Sequence, residues 1–203
     1  MSRPIIAILR GVKPEEIDDI AAVLLDAGID RIEVPLNSPD PLDSIARLVR
    51  GFAGRGSFGA GTVLDVASVN AVAETGAQMI VSPDCNPDVI ARTKLLGLQS
   101  YPGVATATEA FAALRAGATG LKLFPAFLTG PAGLSALRAV LPAGTETYAV
   151  GGVGPENFTE WHAAGATGFG IGSGIYKPGW TAEEVAQKAA AIVDAFDAVY
   201  GVT

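Results

Sequence analysis

Two charged residues interrupt apolar segments that otherwise have the composition of buried β-strands. Glu33 lies in the segment Ile32-Glu33-Val34, and Lys122 lies in the segment Leu121-Lys122-Leu123. Because side chains alternate between the two faces of a strand, each charge points away from its apolar neighbours. If those neighbours pack against surrounding helices, both charges point into the interior of the fold, where burial shifts their pKa values.

A buried lysine beside a carboxylate can carry out covalent chemistry on a carbonyl compound. Burial lowers the pKa of a lysine, and the neutral amine can attack a carbonyl carbon and form a Schiff base. The carboxylate can transfer the protons that carbinolamine dehydration and enamine formation require. We therefore expect Lys122 to be a Schiff-base lysine and Glu33 to be its general acid/base. The alternatives are a structural ion pair, or a strand register shifted by one residue that turns both charges toward solvent.

Three further residues could bind a keto acid next to the amine. Arg10 comes at the end of the first predicted strand, Thr62 ends the third and Phe124 ends the sixth. The planar guanidinium of Arg10 can bind a carboxylate through two hydrogen bonds, and the Thr62 hydroxyl can add another. Phe124 supplies an apolar neighbour that favours the neutral amine. These residues predict an α-keto acid as the substrate.

Two glycine-rich segments predict a phosphate-binding site. Residues 151–157 follow the seventh predicted strand, and residues 170–174 overlap the eighth. Glycines allow backbone N–H groups to approach an anion closely, and a serine hydroxyl can donate a further hydrogen bond. The candidate phosphate ligands are Gly151, Gly152, Gly172 and Ser173. The alternative is that both segments are only tight turns.

Short apolar runs alternate with longer helical patterns along the whole chain. We predict strands over residues 4–9, 31–36, 58–62, 78–82, 99–101, 120–124, 147–150 and 168–171. We predict helices over residues 14–27, 42–52, 66–75, 87–96, 107–116, 133–140, 155–163 and 182–200. Glycines at positions 28, 76, 97, 117 and 165 follow predicted helices, where glycine favours a left-handed cap.

The number of βα units indicates the fold. The sequence contains about eight βα units, the number that closes a TIM barrel. We therefore predict an α/β fold, namely a single-domain (β/α)8 TIM barrel over residues 1–203. The carboxyl ends of its strands, where Arg10 and Thr62 lie, are the face at which such barrels place their chemistry. The alternative is an open doubly wound sheet, but its dinucleotide-binding form needs a G-x-G-x-x-G loop that residues 10–14 lack.

The composition excludes several classes of protein. The chain has 203 residues, 49% hydrophobic and 17% charged, and a net charge of -7, which predicts one core and argues against a nucleic-acid partner. One cysteine, Cys85, and one histidine, His162, cannot form an internal disulfide or a histidine-rich metal site, so we expect no metal. The apolar run 4–9 is too short for a signal peptide or a membrane span, so we expect a cytoplasmic protein without a membrane partner.

Four segments resemble the site segments of the class I aldolases that cleave 2-dehydro-3-deoxy sugar acid phosphates. They are Gly28-Ile29-Asp30-Arg31-Ile32-Glu33-Val34, Gly59-Ala60-Gly61-Thr62-Val63, Tyr101-Pro102-Gly103 and the lysine signature Gly117-Ala118-Thr119-Gly120-Leu121-Lys122-Leu123-Phe124-Pro125-Ala126, which Gly130 follows. The resemblance spans nearly the whole chain. It implies a carbon–carbon lyase that acts on a phosphorylated keto-deoxy sugar acid, releases pyruvate and glyceraldehyde 3-phosphate, uses no cofactor and forms a homotrimer.

Within this family, the chain resembles the galactonate type more than the gluconate type, whose substrate is the C4 epimer. The segment Glu33-Val34-Pro35-Leu36-Asn37-Ser38-Pro39 is similar to the corresponding segment of the galactonate type. Members of the gluconate type have a segment similar to E-V-T-L-R at this place. Val150 stands where the gluconate type tends to have threonine. Asn37 stands in place of an arginine, which implies that Arg10 makes the carboxylate contact. Pro83 is also expected to bind substrate. The alternatives are a gluconate-type aldolase and a noncatalytic sugar-phosphate-binding barrel.

The remaining reactive side chains have simpler interpretations. We expect His162, beside Trp161 on a predicted helix, to lie at the surface or to contribute to packing, and Cys85 to be noncatalytic. Lys13 and Lys177 lie in loops on the same face as Lys122 and are alternative amines. Lys177 is expected to contact a phosphate or solvent.

Overall fold

The computed structural model describes residues 2–201, which contain nine strands and eight helices. The strands are β1 (Ile5–Ile8), β2 (Arg31–Pro35), β3 (Ser57–Gly61), β4 (Met79–Val81), β5 (Gln99–Tyr101), β6 (Gly103–Val104), β7 (Gly120–Leu123), β8 (Glu146–Val150) and β9 (Gly168–Ile171). The helices are α1 (Ile17–Asp26), α2 (Pro41–Gly51), α3 (Val66–Glu74), α4 (Pro87–Leu95), α5 (Ala107–Arg115), α6 (Ala126–Arg138), α7 (Phe158–Ala163) and α8 (Ala182–Tyr200). Within residues 2–201, no helix combines the length and the apolar composition that a membrane crossing requires.

The strands are parallel and form a barrel. Their hydrogen-bonded order is β5-β4-β3-β2-β1-β9-β8-β7-β6. β5 and β6 are two halves of one barrel strand, because only Pro102 separates them and proline has no backbone N–H to donate. The Pro102 carbonyl accepts a hydrogen bond of 2.9 Å from the Lys122 backbone N–H on β7. The fold is therefore the predicted TIM barrel, and the open doubly wound sheet is wrong.

Alternation along the strands sorts the apolar side chains into two layers. Outward-facing residues such as Ile32, Val34 and Leu121 pack with the helices in the main hydrophobic core. Inward-facing residues form a second cluster inside the barrel, which consists of Ile6, Ile8, Met79, Val81, Tyr101, Tyr148 and Val150. This inner cluster gives the barrel an apolar lining, so a charge placed there is removed from water.

Local sequence explains where several helices begin and end. The side chains of Asp65, Asn86, Thr106 and Thr181 each accept a backbone hydrogen bond at the start of a helix. The glycines at positions 28, 76, 97, 117 and 165 have positive φ angles between 76° and 95°. The predicted left-handed caps are therefore confirmed.

Helix α6 begins earlier than the sequence predicts. The predicted helix covers residues 133–140, whereas α6 covers Ala126–Arg138 and has a non-helical break at Gly130, with φ 65° and ψ 167°. Pro125 and Pro131 favour a loop in a sequence-based prediction. In the structure, Pro125 is the N-cap, and Pro131 follows the break at the start of a new helical segment, where its missing N–H is tolerated.

Two other helices begin later than predicted. α1 begins at Ile17 rather than at residue 14, and α7 begins at Phe158 rather than at residue 155. In both cases a turn precedes the helix, so Pro14 and Pro155 lie before the first helical residue rather than inside the first turn. The fifth barrel strand also extends beyond its prediction, because β6 continues it after Pro102.

Candidate active site

Glu33 and Lys122 both point into the barrel. Glu33 on β2 is 1% exposed, and Lys122 on β7 is 6% exposed. Together with Val81 and Val150, they line a cavity in the barrel interior. The prediction that both charges face the interior is confirmed, and the alternative register that turns them toward solvent is wrong.

Burial perturbs the carboxyl group of Glu33. Removal from water raises its pKa to about 7, and the positive charges of Lys122 and Arg10 compensate only in part. Within the described residues, Oε2 has no hydrogen-bond partner. A buried carboxyl group with an unpaired oxygen and a pKa near neutrality can both accept a proton from a bound molecule and return it.

Lys122 responds to burial in the opposite direction. Burial lowers the pKa of its ammonium group, Glu33 opposes this shift and Arg10 adds to it. The Phe124 ring lies beside the amine, with 4.6 Å between Nζ and the ring centroid. The ion pairs found in residues 2–201 do not include Lys122. Lys122 and Glu33 therefore influence each other through space, and a contact ion pair is not what holds them in the barrel.

Two buried tyrosines line the inner cavity together with Glu33 and Lys122. The rings of Tyr101 and Tyr148 pack edge to face with centroids 5.3 Å apart, and both line the same cavity as Lys122. The Tyr148 hydroxyl accepts a hydrogen bond of 2.5 Å from Arg31 Nη1 and donates one of 2.9 Å to Glu146 Oε2. Because Arg31 and Glu146 begin their strands, this network lies at the amino-terminal end of the barrel.

Arg10 lies at the opposite end, where contacts from two neighbouring loops orient its guanidinium. Nη1 donates to Asn37 Oδ1 at 2.5 Å, and both terminal nitrogens lie 3.5 Å from Thr62 Oγ1. The adjacent Gly11 N–H donates to Ser38 Oγ at 2.9 Å. Thr62 has a φ of 58°, a left-handed conformation that is uncommon for a threonine and recurs at functional sites.

A large cleft lies between Arg10 and the glycine-rich segments. Its volume is about 750 Å³. Most of the predicted site residues line it, namely Arg10, Phe124, Val150, Gly151, Gly152, Gly172 and Ser173. Val150 also lines the inner cavity and therefore lies where the two spaces meet. The structure thus brings the candidate carboxylate clamp, the amine and the phosphate loops to one end of the barrel.

The first glycine-rich loop is held in shape by its own residues. Gly151 and Gly152 have φ angles of 96° and 73°, which other residues adopt only with strain. Asn157 accepts a hydrogen bond of 3.2 Å from the Gly154 N–H and donates one of 3.0 Å to the Gly152 carbonyl. This bracing fixes the backbone that faces the cleft.

Some candidates line neither cavity in the described part of the chain, and Thr62 is one of them, although its hydroxyl lies 3.5 Å from Arg10. Pro83 lines neither cavity, so its role in substrate binding stays a prediction. The Cys85 thiol donates to the Glu109 carbonyl at 3.3 Å, and burial raises its pKa, which disfavours a reactive thiolate. His162 is exposed and packs against Tyr200, with ring centroids 4.2 Å apart. Residues 2–201 contain no cluster of three or more His, Cys, Asp or Glu residues placed to bind a metal ion.

The sequence matches a known family along most of its length. A family model described as aldolase, KDPG and KHG aldolase, matches residues 1–192. The chain belongs to the KDPG and KHG aldolase family. Because the match includes Glu33, Lys122 and both glycine-rich segments, the whole site lies within the KDPG and KHG aldolase region.

Similar members of the KDPG and KHG aldolase family cover nearly the full chain. A probable 2-dehydro-3-deoxy-6-phosphogalactonate aldolase from Rhizobium meliloti (strain 1021) is 50% identical over 99% of this chain and 95% of its own length. The 2-dehydro-3-deoxy-6-phosphogalactonate aldolase of Escherichia coli (strain K12) is 47% identical over 95% of this chain and 94% of its own length. A solved structure described as native KDPGal has a TM-score of 0.97 at 45% identity and covers 100% of this chain and 98% of its own.

A solved KDPG aldolase from Legionella pneumophila is a more distant member of the family. It is 26% identical, has a TM-score of 0.82, and the match covers 98% of this chain and 94% of the Legionella chain. That structure is described as holding pyruvate captured at low pH as a covalent carbinolamine intermediate.

Proposed function

We propose that this protein is a class I aldolase that reversibly cleaves 2-dehydro-3-deoxy-6-phosphogalactonate to pyruvate and D-glyceraldehyde 3-phosphate. The observation that carries the proposal is the burial of Lys122 beside Glu33 inside the barrel, below Arg10 and the glycine-lined cleft. Burial lowers the pKa of the amine and raises that of the carboxyl group, and both shifts favour Schiff-base chemistry.

Lys122 and Glu33 divide the covalent steps between them. The neutral Nζ attacks the C2 carbonyl of the substrate, and the carbinolamine loses water to give a protonated imine. Glu33 supplies and removes the protons of these steps. When the C4 hydroxyl loses its proton, the C3–C4 bond breaks, its electrons move into the imine to form an enamine, and the aldehyde departs. Protonation of the enamine at C3 and hydrolysis of the imine release pyruvate and restore the amine.

The two ends of the substrate are bound by different groups. Its carboxylate accepts hydrogen bonds from the Arg10 guanidinium and the neighbouring Thr62 hydroxyl, because a planar guanidinium can donate two parallel hydrogen bonds to a carboxylate. Its phosphate lies against the backbone N–H groups of the loops that contain Gly151, Gly152 and Gly172, with the Ser173 hydroxyl nearby. With its two ends held, the substrate presents C2 to the amine between them.

The choice of the galactonate epimer rests on Val150 and on the relatives. Val150 is 6% exposed and lies between the inner cavity and the cleft, where an apolar side chain offers a substrate hydroxyl no hydrogen bond. The relatives that are 50% and 47% identical carry the galactonate name. The gluconate epimer remains the alternative substrate, because the amine and the carboxyl group serve both epimers equally.

Borohydride trapping tests the covalent step. Pyruvate and borohydride should leave one reduced adduct on Lys122, read by mass spectrometry of the digested protein. An adduct on Lys13 or Lys177 would reassign the amine, and no adduct would favour a noncatalytic sugar-phosphate-binding barrel. A cleavage assay on both C4 epimers then tests the substrate, and faster cleavage of the gluconate compound would overturn the galactonate assignment.

We also infer that the protein acts as a homotrimer in the cytoplasm. Large apolar side chains are exposed on the surface, including Phe127 and Leu128, each 69% exposed, and Leu64, 51% exposed, and such residues favour burial in an oligomer. A chain in a cage designed by fusing symmetric oligomeric domains is 45% identical, with a TM-score of 0.97 over 99% of this chain and 74% of its own. The cytoplasmic location is inferred because the charge of phosphorylated substrates retains them inside cells. Light scattering on the purified protein should give three times the chain mass.

A further inference from the structure

The cleft extends beyond the parts that the proposed reaction uses. Its lining also includes Lys177 and Pro178, which follow Gly174, and Lys188 and Ile192 of α8. Lys177 and Lys188 are both exposed. Two exposed lysines therefore line the same cleft as the glycine-rich loops.

The two lysines share one aromatic neighbour. Nζ of Lys177 lies 5.4 Å from the Trp180 ring, and Nζ of Lys188 lies 5.9 Å from it. These cation–π contacts hold the ammonium groups near the indole without neutralising them. The ion pairs found across residues 2–201 involve neither lysine. Both charges are therefore available to a ligand that enters the cleft.

The overall charge of the protein makes such local cations useful. The chain has a net charge of -7, and a sugar acid phosphate carries a carboxylate and a phosphate dianion at neutral pH. Protein and substrate therefore repel each other at long range. Among the residues that line the cleft, Arg10, Lys177 and Lys188 carry positive charge, and Glu156 carries negative charge. A methyl group on Gly154 would lie 2.6 Å from Glu156 Oε2, so this carboxylate folds over its own loop.

We propose that Lys177, Lys188 and the Trp180 ring form an outer anion subsite that receives the phosphate of a phosphomonoester before it reaches the glycine-rich loops. The subsite deepens the proposed aldolase function and rests on it. The Arg10 guanidinium already donates to Asn37, whereas the ion pairs in residues 2–201 include neither lysine, so the two lysines are the cations that meet the phosphate first. The subsite raises the local concentration of the phosphorylated substrate and takes no part in the chemistry at Lys122.

The test is the salt dependence of cleavage in a double variant, Lys177→Gln with Lys188→Gln. At low ionic strength, kcat/KM should fall about three- to tenfold, because clustered charges change encounter rates by at least this amount. The difference from the parent should disappear at about 0.5 M salt, where screening acts within a few ångströms. The kcat should not change. A parental kcat/KM and salt slope, or an equal loss in kcat, would overturn the proposal.

Two single variants serve as matched controls. Lys94→Gln removes one positive charge, half of what the double variant removes, and Lys94 donates to Thr119 Oγ1 at 3.2 Å, next to the amino-terminal start of β7 and away from the cleft. This variant should behave as the parent does. Glu156→Gln removes the negative charge from the cleft and should raise kcat/KM at low salt. A loss in Lys94→Gln that is half the loss of the double variant on a logarithmic scale would show that total charge, rather than the subsite, sets the rate.

Pyruvate trapping separates this proposal from the aldolase proposal. Pyruvate carries no phosphate, so the double variant should form the Lys122 adduct as the parent does. If the parent traps no pyruvate, the aldolase function fails and the subsite loses its substrate. If both proteins trap pyruvate and cleave substrate with the same salt dependence, the aldolase stands and only the outer subsite is wrong.

Discussion

The Glu33 carboxylate occupies the space that a side chain at position 61 would need. A methyl group on Gly61 of β3 would lie 1.8 Å from Glu33 Oε2 and 2.3 Å from its carboxyl carbon. The glycine on one strand therefore makes room for the catalytic candidate on the next strand.

Gly61→Ala should displace Glu33 and leave the barrel folded, because the clash involves a side chain that can move. We expect exchange of pyruvate methyl protons with deuterated water to slow about a hundredfold, the scale of a lost general acid/base. Gly59→Ala is a contrasting variant, because its methyl group would lie 1.8 Å from the backbone carbonyl oxygen of Met79, which cannot move as a side chain can. This variant should lower the melting temperature instead. Gly51→Ala, whose methyl group would meet only Asp18 at 3.9 Å, should change neither. Parental exchange in Gly61→Ala would contradict the arrangement.

Glu33→Gln should separate activity from stability. We expect a loss of about a hundredfold in proton exchange, because the amide keeps the shape of the side chain but does not titrate. Exchange at the parental rate would show that another group or water carries the protons.

The same variant should be more stable than the parent above neutral pH. Burial raises the pKa of Glu33 from 4.5 to about 7. The protonated carboxyl group therefore makes its full contribution to the free energy of unfolding below about pH 4.5, and this contribution is lost as the pH rises through about 7. Glutamine remains neutral, so at pH 8 the variant should gain about 1 to 3 kcal/mol in the free energy of unfolding. Denaturant unfolding at pH 8 and pH 4 measures this, and an equal gain at both values would rule out titration as its cause.

Asn37→Ala should weaken the carboxylate clamp. The variant loses the hydrogen bond that Arg10 Nη1 donates to Asn37, and a less ordered guanidinium should raise KM for pyruvate several-fold while kcat changes little. Asn70→Ala is the matched control, because Asn70 accepts a similar bond of 2.7 Å from Arg92 Nε on the outer helices. If the two variants have the same KM, the Asn37 contact does not position Arg10.

Val150→Thr should shift the epimer preference toward the gluconate compound. One neutral hydrogen bond to the C4 hydroxyl is worth about 1 kcal/mol, or about fivefold in the ratio of kcat/KM values. Val150→Ala removes methyl groups without adding a hydroxyl and separates the two effects. An unchanged ratio in Val150→Thr would show that this position does not distinguish the epimers.

The inward charges could be predicted because the period of a strand is two residues. In Ile32-Glu33-Val34 and Leu121-Lys122-Leu123, alternation places each charge opposite its apolar neighbours. Because those neighbours pack with the helices, the charges face the axis. The barrel followed from the repeated pattern of strands, helices and capping glycines. These features are local in the sequence, and the structure confirms them.

The features that the sequence did not reveal depend on contacts between distant segments. Arg31 and Glu146 lie at the starts of strands, where a charge ordinarily indicates solvent, yet both bind the Tyr148 hydroxyl inside the barrel. The Arg10–Asn37 contact joins two loops, and no periodicity describes loop contacts. From the sequence alone, Lys188 is an ordinary exposed lysine on a helix, and only the structure places it in the same cleft as Lys177 and beside the same Trp180 ring.

The Tyr101–Tyr148 pair and Lys122 line one buried cavity, so the bond to Lys122 forms inside the barrel. When the C3–C4 bond breaks, the part that becomes pyruvate stays covalently joined to Lys122 as an enamine, whereas the aldehyde is free to leave. Cleavage must therefore release its products in a fixed sequence, glyceraldehyde 3-phosphate first and pyruvate last. In the synthetic direction, pyruvate must form its imine and enamine with Lys122 before the aldehyde can react.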